Sequence, residues 1–283
     1  MAVCNAGGFS AAARALGVST SHVSRAVAQL EARAGARLLY RTTRRITLTD
    51  AGYTFFDRCR AMIEAREQAL AQVGETGGAV GHIRLTCATA FGERFIAPAV
   101  AKFLDQQRGV SVSIELTNRV LDLVGEGYDL AIRTGELVDS RLVATRVGSR
   151  RHYLCAAPDY LRQAGAPRTV ADLKDHACIL GTADVWRFSV GGNTETFKPA
   201  GRFRCNSGNA VVEAARRGLG LCQLPEFYVL PLLQAGALSS VLEAYQPDPE
   251  PIWAVYPHRE LLPVRVRLLI ETLRRELHHP FAA

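Results

Sequence analysis

The sequence predicts an α/β protein in three parts: a helical head with a β wing, one long linker helix, and a two-lobed α/β domain. Three observations predict it. Short helices punctuated by Ser and Gly open the chain, a heptad-spaced apolar seam follows, and beyond the small-residue stretch ETGGAVG at 75–81 strands alternate with helices.

The head rests on the segment from Phe9 to Gly35. Ser10 is placed to cap a first helix that turns Ala12, Ala13 and Leu16 inward and stops at Gly17, a residue that accepts a left-handed turn. Ser19 is placed to cap a second helix, on which Val23, Val27, Leu30 and Ala34 form a narrow apolar stripe. Ser21, Arg25 and Gln29 project from the other side, and Thr20, His22 and Ser24 sit near the helix start. Two short helices and a tight turn make a helix-turn-helix, which lays its second helix in the major groove of DNA. Any amphipathic helical hairpin carries a similar stripe, so the next segment decides. Arg37, Arg41, Arg44 and Arg45 surround two short β-prone runs, with no acidic residue between Arg37 and Asp50. That is the pattern of a basic wing. In the first 50 residues seven arginines stand against two acidic side chains, so five of the seven net positive charges lie there. A local basic surplus beside a recognition helix is the electrostatic footprint of a duplex-DNA binder. Thr20, Ser21, Ser24 and Arg25 are the candidates for base edges, and Arg41, Arg44 and Arg45 for phosphates.

The linker helix is capped by Thr49 or Asp50, and Phe55, Phe56, Cys59, Met62, Ile63, Ala69, Leu70 and Val73 recur along it at spacings of three, four and seven. Asp57, Arg58, Arg60, Glu64, Arg66 and Glu67 occupy the other faces. Such a seam is buried either against a second copy or against the rest of its own chain; dimerisation is the simpler solution, and paired recognition helices read paired half-sites.

Beyond the linker, strands are predicted at His82 to Thr86, Val112 to Leu116 and Asp129 to Arg133, with helices from Arg94 to Gln107 and Val120 to Glu126. This βαβαβ run predicts a mostly parallel sheet, whose ligands sit past the carboxyl ends of the strands. Thr89, Ala90 and Phe91 follow the first strand; Arg133, Thr134 and Gly135 follow the third. A second βα unit starts near Pro158. It has strands around Ile179, Trp186 to Val190, Gly201 to Cys205 and Gly220 to Leu224, and helices from Asn209 to Arg217 and Glu226 to Leu233. A strand from Ile252 to Tyr256 and a helix from Val264 to Leu277 return to the first lobe, so two crossings frame a hinged cleft.

On FSAAARALGVS, VSRAV, LEARAG, RLLYRTTRRITLT and the following DAG, in this order and spacing, the chain resembles the LysR-type transcriptional regulators, and the resemblance runs over nearly its whole length. It implies a winged helix-turn-helix DNA-binding domain at 1–50, a dimerising linker helix at 51–76, and a periplasmic-binding-protein-like effector domain at 81–283. Within the last, lobe 1 takes about 81–156 and 257–283 and lobe 2 about 157–256. CNSGN and QLPEF match positions where that family lines its cleft, which implies that Asn206, Ser207 and Pro225 face it. The implied partners are double-stranded operator DNA, a small-molecule effector, further copies of the chain as homodimer or homotetramer, and RNA polymerase. One departure stands at the start. Family members begin with a further helix of roughly four turns ahead of GGFS, and MAVCNA is what this sequence has of it. That helix packs on Val23, Val27 and Leu30, so the expectation is an exposed stripe, worth several kcal/mol at ~25 cal/mol/Å². The alternative it raises is a degenerate ligand-binding or dimerisation protein that has lost DNA binding through truncation.

Chemically the cleft offers the Thr89 hydroxyl, the Arg133 cation, the Asn206 amide, the Ser207 hydroxyl and helix N-termini that favour anions, a set suited to a small carboxylate. Local roles compete: Thr89 as a cap, Arg133 paired with Asp129 or Glu136, Asn206 holding a turn, and Phe91 either as core or as a wall for an aromatic effector. No GxSxG, P-loop, strand-borne GxGxxG or HExxH motif occurs, so no enzyme, cofactor or metal is expected; His278 and His279 are read as solvent-exposed. The seven cysteines, without CxxC spacing, read as reduced thiols, with Cys87 and Cys205 nearest the cleft. No apolar run reaches the ~18 residues of a membrane span and no signal peptide is read, so the expectation is a cytoplasmic protein without a membrane partner.

Overall fold

The structure, a computed structural model, describes residues 1–41, 46–73, 79–135, 142–257 and 262–277 of the 283. The head comprises α1 (Ala2–Asn5), α2 (Phe9–Leu16), α3 (Thr20–Ala34), β1 (Leu39–Arg41) and β2 (Ile46–Leu48). Helix α2 begins two residues earlier than predicted: Gly8 holds the cap position without a side-chain bond, and Ser10 lies inside the helix. Gly17, at φ 67°, ends α2 in the left-handed region, and Ser19 caps α3 by accepting from the His22 amide at 3.2 Å. Val3, Ala12, Ala13, Val23 and Leu39 form the core, with Val27 half-buried against it. The expected exposed stripe is therefore corrected in part: Val3 from the short α1 covers Val23, while Leu30, farther along α3, is 37% exposed. The wing is an antiparallel pair running from Leu39↔Leu48 to Arg41↔Ile46. Glu31 Oε1 accepts from the Leu38 and Leu39 amides at 2.9 and 3.1 Å, tying α3 to the wing.

Thr49 begins the linker α4 (Asp50–Val73): its Oγ1 accepts from the Gly52 amide at 2.9 Å and donates to the Arg37 carbonyl at 2.6 Å. One side of the linker meets its own chain. Arg60 reaches Asp129 of the C-terminal domain, while Met62 and Ile63 are left 63% and 43% exposed.

The C-terminal domain begins with β3 (Gly81–Cys87), α5 (Thr89–Phe91), a π-turn at Gly92–Ile96, α6 (Ala97–Gln106), β4 (Val110–Leu116), β5 (Leu130–Thr134), β6 (Leu142–Arg150), β7 (His152–Ala156) and α7 (Pro158–Ala164). It continues through β8 (Ile179–Leu180), β9 (Trp186–Val190), β10 (Asn193–Phe197), β11 (Phe203–Arg204), α8 (Gly208–Arg216), β12 (Cys222–Pro225), α9 (Glu226–Gln234), β13 (Ser239–Val241), β14 (Glu250–Pro257) and α10 (Val264–Glu276). The lobe 1 sheet has the order β4-β3-β5-β14-β6. Strand β3 is parallel to β4 and β5, but β14 runs antiparallel to β5 and β6, so the predicted mostly parallel sheet is mixed. The reason is the crossing: β14 enters lobe 1 on its way back from lobe 2. Ile83, Leu85, Phe103, Leu130, Ile252 and Leu269 anchor its core. The predicted helix from Val120 to Glu126 is a run of turns instead, closed by Gly127 at φ 72°.

Lobe 2 joins the antiparallel set β12-β7-β13 to the parallel pair β11-β8 through a Cys178↔Leu221 bridge, with β9-β10 as a separate hairpin. Strands β6, β7, β10 and β13 had no counterpart in the sequence reading. They also move the lobe boundaries: β7 belongs to lobe 2 and β14 to lobe 1, so the chain crosses at Arg151 and again just before Glu250. Among the described residues no helix is long and apolar enough to cross a membrane.

Candidate functional site

Two sites are built by this architecture. On the head, α3 buries Val23 and turns Thr20, Ser21 and Arg25 outward, with Ser24 half-buried. Arg25 Nε lies 3.4 Å from the Ser21 carbonyl, folded back along the helix, and the Ser19 and Ser21 hydroxyls are 3.1 Å apart. The result is a face of short hydroxyls and one guanidinium at the start of the second helix, which is where base contact is made in such units. Arg41 ends β1; Arg44 and Arg45 lie outside the described residues.

Between the lobes runs a cleft of about 1110 Å³. Of the seven residues predicted for it, Phe91, Arg133, Asn206 and Pro225 line it; Thr89, Ala90 and Ser207 stand beside it, outside its lining. Thr89 is not a cap: it opens α5 after Ala88, and its amide donates to Asn118 Oδ1 at 3.1 Å. Ala90 packs on the lobe 1 core. Ser207 holds the cap position of α8 without a side-chain bond, and its amide lies 3.4 Å from Cys205 Sγ. Asn118 Nδ2 donates across the cleft to the Asn206 carbonyl at 2.8 Å, so one amide side chain bridges the lobes.

Arg133 dominates the electrostatics. The residue is half-buried, its Nη2 is buried without a hydrogen-bond partner among the described residues, and burial lowers its proton affinity. Pairing with Asp129 is corrected: that carboxylate takes the Arg84 amide at 2.9 Å and faces Arg60 at 3.6 Å, while Glu136 lies outside the described residues. Arg150, by contrast, is neutralised by Glu250 at 2.7 Å and donates to Thr134 Oγ1 at 2.9 Å. His152 is held neutral: burial first, then the Arg150 charge, push it down to about 4, although Glu250 lies 3.9 Å away. A half-buried cation with an open donor can bind a carboxylate. Phe91 satisfies both of its readings, being 3% exposed against Phe95 and Phe227 in the core and also forming part of the cleft wall.

The sequence reading missed Asn118, Arg150, His152, Trp186, Tyr228 and Trp253, all of which line the cleft. Arg150 and His152 flank the lobe crossing, and crossing residues necessarily border an inter-lobe cleft; locating β6 and β7 would have found them. Both tryptophans of the chain lie here. All seven cysteines are free thiols; burial pushes Cys87 up to about 12, and Cys155 Sγ lies 3.6 Å from Cys222 Sγ.

With this geometry the comparisons with known proteins agree. The family described as "Bacterial regulatory helix-turn-helix protein, lysR family" matches residues 1–53, and that described as "LysR substrate binding domain" matches residues 76–278. The first match takes in the whole head, which overturns the alternative of a chain that has lost its DNA-binding unit. The chain is 33% identical over 263 residues to an uncharacterized HTH-type transcriptional regulator of Haemophilus influenzae, covering 91% of each. It is 32% identical to the HTH-type transcriptional activator AaeR of Escherichia coli, over 94% of this chain and 88% of that one. Among solved structures, CrgA, a LysR-type transcriptional regulator from Neisseria meningitidis, superposes with a TM-score of 0.61 at 29% identity, covering 98% of this chain and 96% of that one.

Proposed function

The chain belongs to the LysR family of transcriptional regulators, and we propose that it is an effector-controlled, operator-binding member that works in the cytoplasm as a dimer or a pair of dimers. Thr20, Ser21, Ser24 and Arg25 read base edges, and Arg41, Arg44 and Arg45 hold phosphates. The linker helices pair through a seam that includes Met62 and Ile63, whose exposure supports a partner there. The effector is a small carboxylate, aliphatic or aromatic, engaged by Arg133 and Asn206 beside Phe91, with Thr89, Ala90, Ser207 and Pro225 shaping the surround; the bound state then acts on RNA polymerase at the promoter. The observation that carries this reading is the unpartnered Arg133 Nη2 buried in the wall of a 1110 Å³ inter-lobe cleft, on a chain whose head carries an exposed recognition helix.

Fluorescence anisotropy with DNA flanking the chain's own coding sequence tests it. Specific binding is expected at 50 mM salt, falling by about 10³-fold or more at 200 mM as six or more phosphate contacts release counterion. A folded oligomer that prefers no segment of that DNA over random competitor sinks the proposal.

A further inference from the structure

The linker helix does not run free of the sensing domain. Arg60, at the middle of α4, is almost buried, with 13% of its side chain exposed, and Asp129, at the foot of β5, has 7%. Arg60 Nη1 stands 3.6 Å from Asp129 Oδ1 and 3.4 Å from the Gly127 carbonyl, while Nη2 lies 3.3 Å from Asp57 Oδ1. Asp129 is itself locked into the sheet, since its Oδ2 takes the Arg84 amide and its own amide donates to the Arg84 carbonyl, both at 2.9 Å. Seven residues before Arg60, and so on the same face of α4, Tyr53 meets the same turn. A Cβ at Gly125 would lie 3.2 Å from the Tyr53 hydroxyl, so helix and turn approach closely there. Two points fix an orientation where one would leave a pivot.

Strand β5 runs from this contact to the cleft. Asp129 and Arg133 are four residues apart, about 13 Å along an extended strand, and Thr134 at its end holds Arg150. We infer that β5 is a rigid connector between cleft and linker: Arg60 is a positioning residue that locks the direction of α4, and so of the head, to the strand that carries Arg133. A buried carboxylate tolerates little displacement of its countercharge, because separating the pair leaves a desolvated charge uncompensated. Movement at the Arg133 end is thereby passed to the helix rather than absorbed at the joint. Coupling of this kind is reciprocal, so freeing the helix must alter the cleft.

That reciprocity gives a test that uses neither ligand nor DNA. The inference borrows from the proposed function only the identity of the cleft as sensing site, so the two can fail separately. Trp186→Phe leaves Trp253 as the single tryptophan of the full-length protein; it stands opposite Arg133 across β5 and β14 and donates to the Gly135 carbonyl at 2.9 Å. In that background Arg60→Gln is expected to raise amide exchange roughly tenfold over residues 53–60 and 128–134 and to increase iodide quenching of Trp253. Exchange across α6 and α10 should stay unchanged, marking an intact lobe. Arg60→Lys keeps the charge, loses the guanidinium's second donor and falls between; it supplies the readout should the Gln variant unfold the lobe. Unchanged exchange over 53–60 in both variants overturns the inference, and so does a loosened helix that leaves Trp253 quenching where it was.

Discussion

The head and the cleft handle positive charge in opposite ways. On the head, Arg25 is exposed at the surface of α3, and the core beneath it is small, built on Val3, Ala12, Ala13, Val23 and Leu39. In the cleft, Arg133 is half-buried with one nitrogen that has no partner among the described residues, behind a lobe core that runs from Ile83 to Leu277. An exposed cation keeps its hydration until a phosphate or base replaces it, and its contribution is screened by salt. A half-buried one with a nitrogen sealed from solvent has already lost part of its hydration, so its contribution depends on whether a countercharge arrives. Under the proposed function the same residue type makes the head responsive to ionic strength and the cleft responsive to a ligand.

The sharpest contrast is in response to pH. His152 is depressed to about 4 by burial, with Arg150 and Arg187 facing it and Glu250 opposing them. Its unfolded value is near 6.5, so the neutral form is present in both states above that pH and stability is full there. As pH falls from about 6.5 to about 4 the unfolded chain takes up a proton that the folded site refuses, and stability is lost, on the order of 3 kcal/mol. Thermal melts followed by tryptophan fluorescence report this domain alone, because Trp186 and Trp253 both lie in it. His152→Gln should flatten the slope between pH 6.5 and 4; a slope identical to wild type assigns the acid sensitivity elsewhere.

A smaller effect separates the two roles within the head. Arg25→Ala should cost about 1 to 3 kcal/mol of operator affinity and relax preference at one base position, as expected for loss of a base-edge contact. Arg44→Ala should weaken specific and random DNA alike and lower the salt slope by about 1. Competition titrations at several salt concentrations measure both, and equal losses on all DNA for Arg25→Ala would move it from base readout to phosphate binding.

How far each region could be read beforehand follows from how it is assembled. The head is local: Ser19, Val23 and Gly35 lie within 17 residues of each other, so caps, stripe and turn could be recognised in one window. Even there Ser10 was misplaced as a cap, because the helix starts two residues sooner with Gly8 ahead of it. The cleft is non-local. Phe91 and Arg133 lie at strand ends that the βα alternation made legible, and the family resemblance pointed to Asn206 and Pro225, but Arg150 and Trp253 are brought in by β6 and β14, whose pairing joins residues about a hundred positions apart, and Asn118 lies in the turns after β4. Strand β6, LVATRVGSR, alternates too weakly to announce itself, and its burial pattern is correspondingly partial. The Arg60–Asp129 pair was invisible for the same reason, since no spacing rule relates a helix to a turn 69 residues later.

The gentlest test bears on the cleft cation itself. Removing Arg133 takes away a desolvated guanidinium nitrogen that has no partner among the described residues, so ligand-free Arg133→Ala should melt no lower than wild type, or higher by about 1 kcal/mol. Affinity for DNA should be untouched, since Arg133 belongs to the lobe sheet and not to the head. Benzoate and acetate serve as probes of the carboxylate reading: in wild type, benzoate quenches the cleft tryptophans with a midpoint below that of acetate, the aromatic ring gaining contact with Phe91. In Arg133→Ala the benzoate midpoint should rise at least tenfold, about 1.4 kcal/mol, which is within the range for loss of a charge-assisted hydrogen bond. An unshifted midpoint removes Arg133 from the binding site and leaves its buried nitrogen as a feature of the sheet; a large drop in melting temperature without ligand would show instead that the guanidinium stabilises the fold on its own, and the contrast with Arg25 would then rest on exposure rather than on an awaited countercharge.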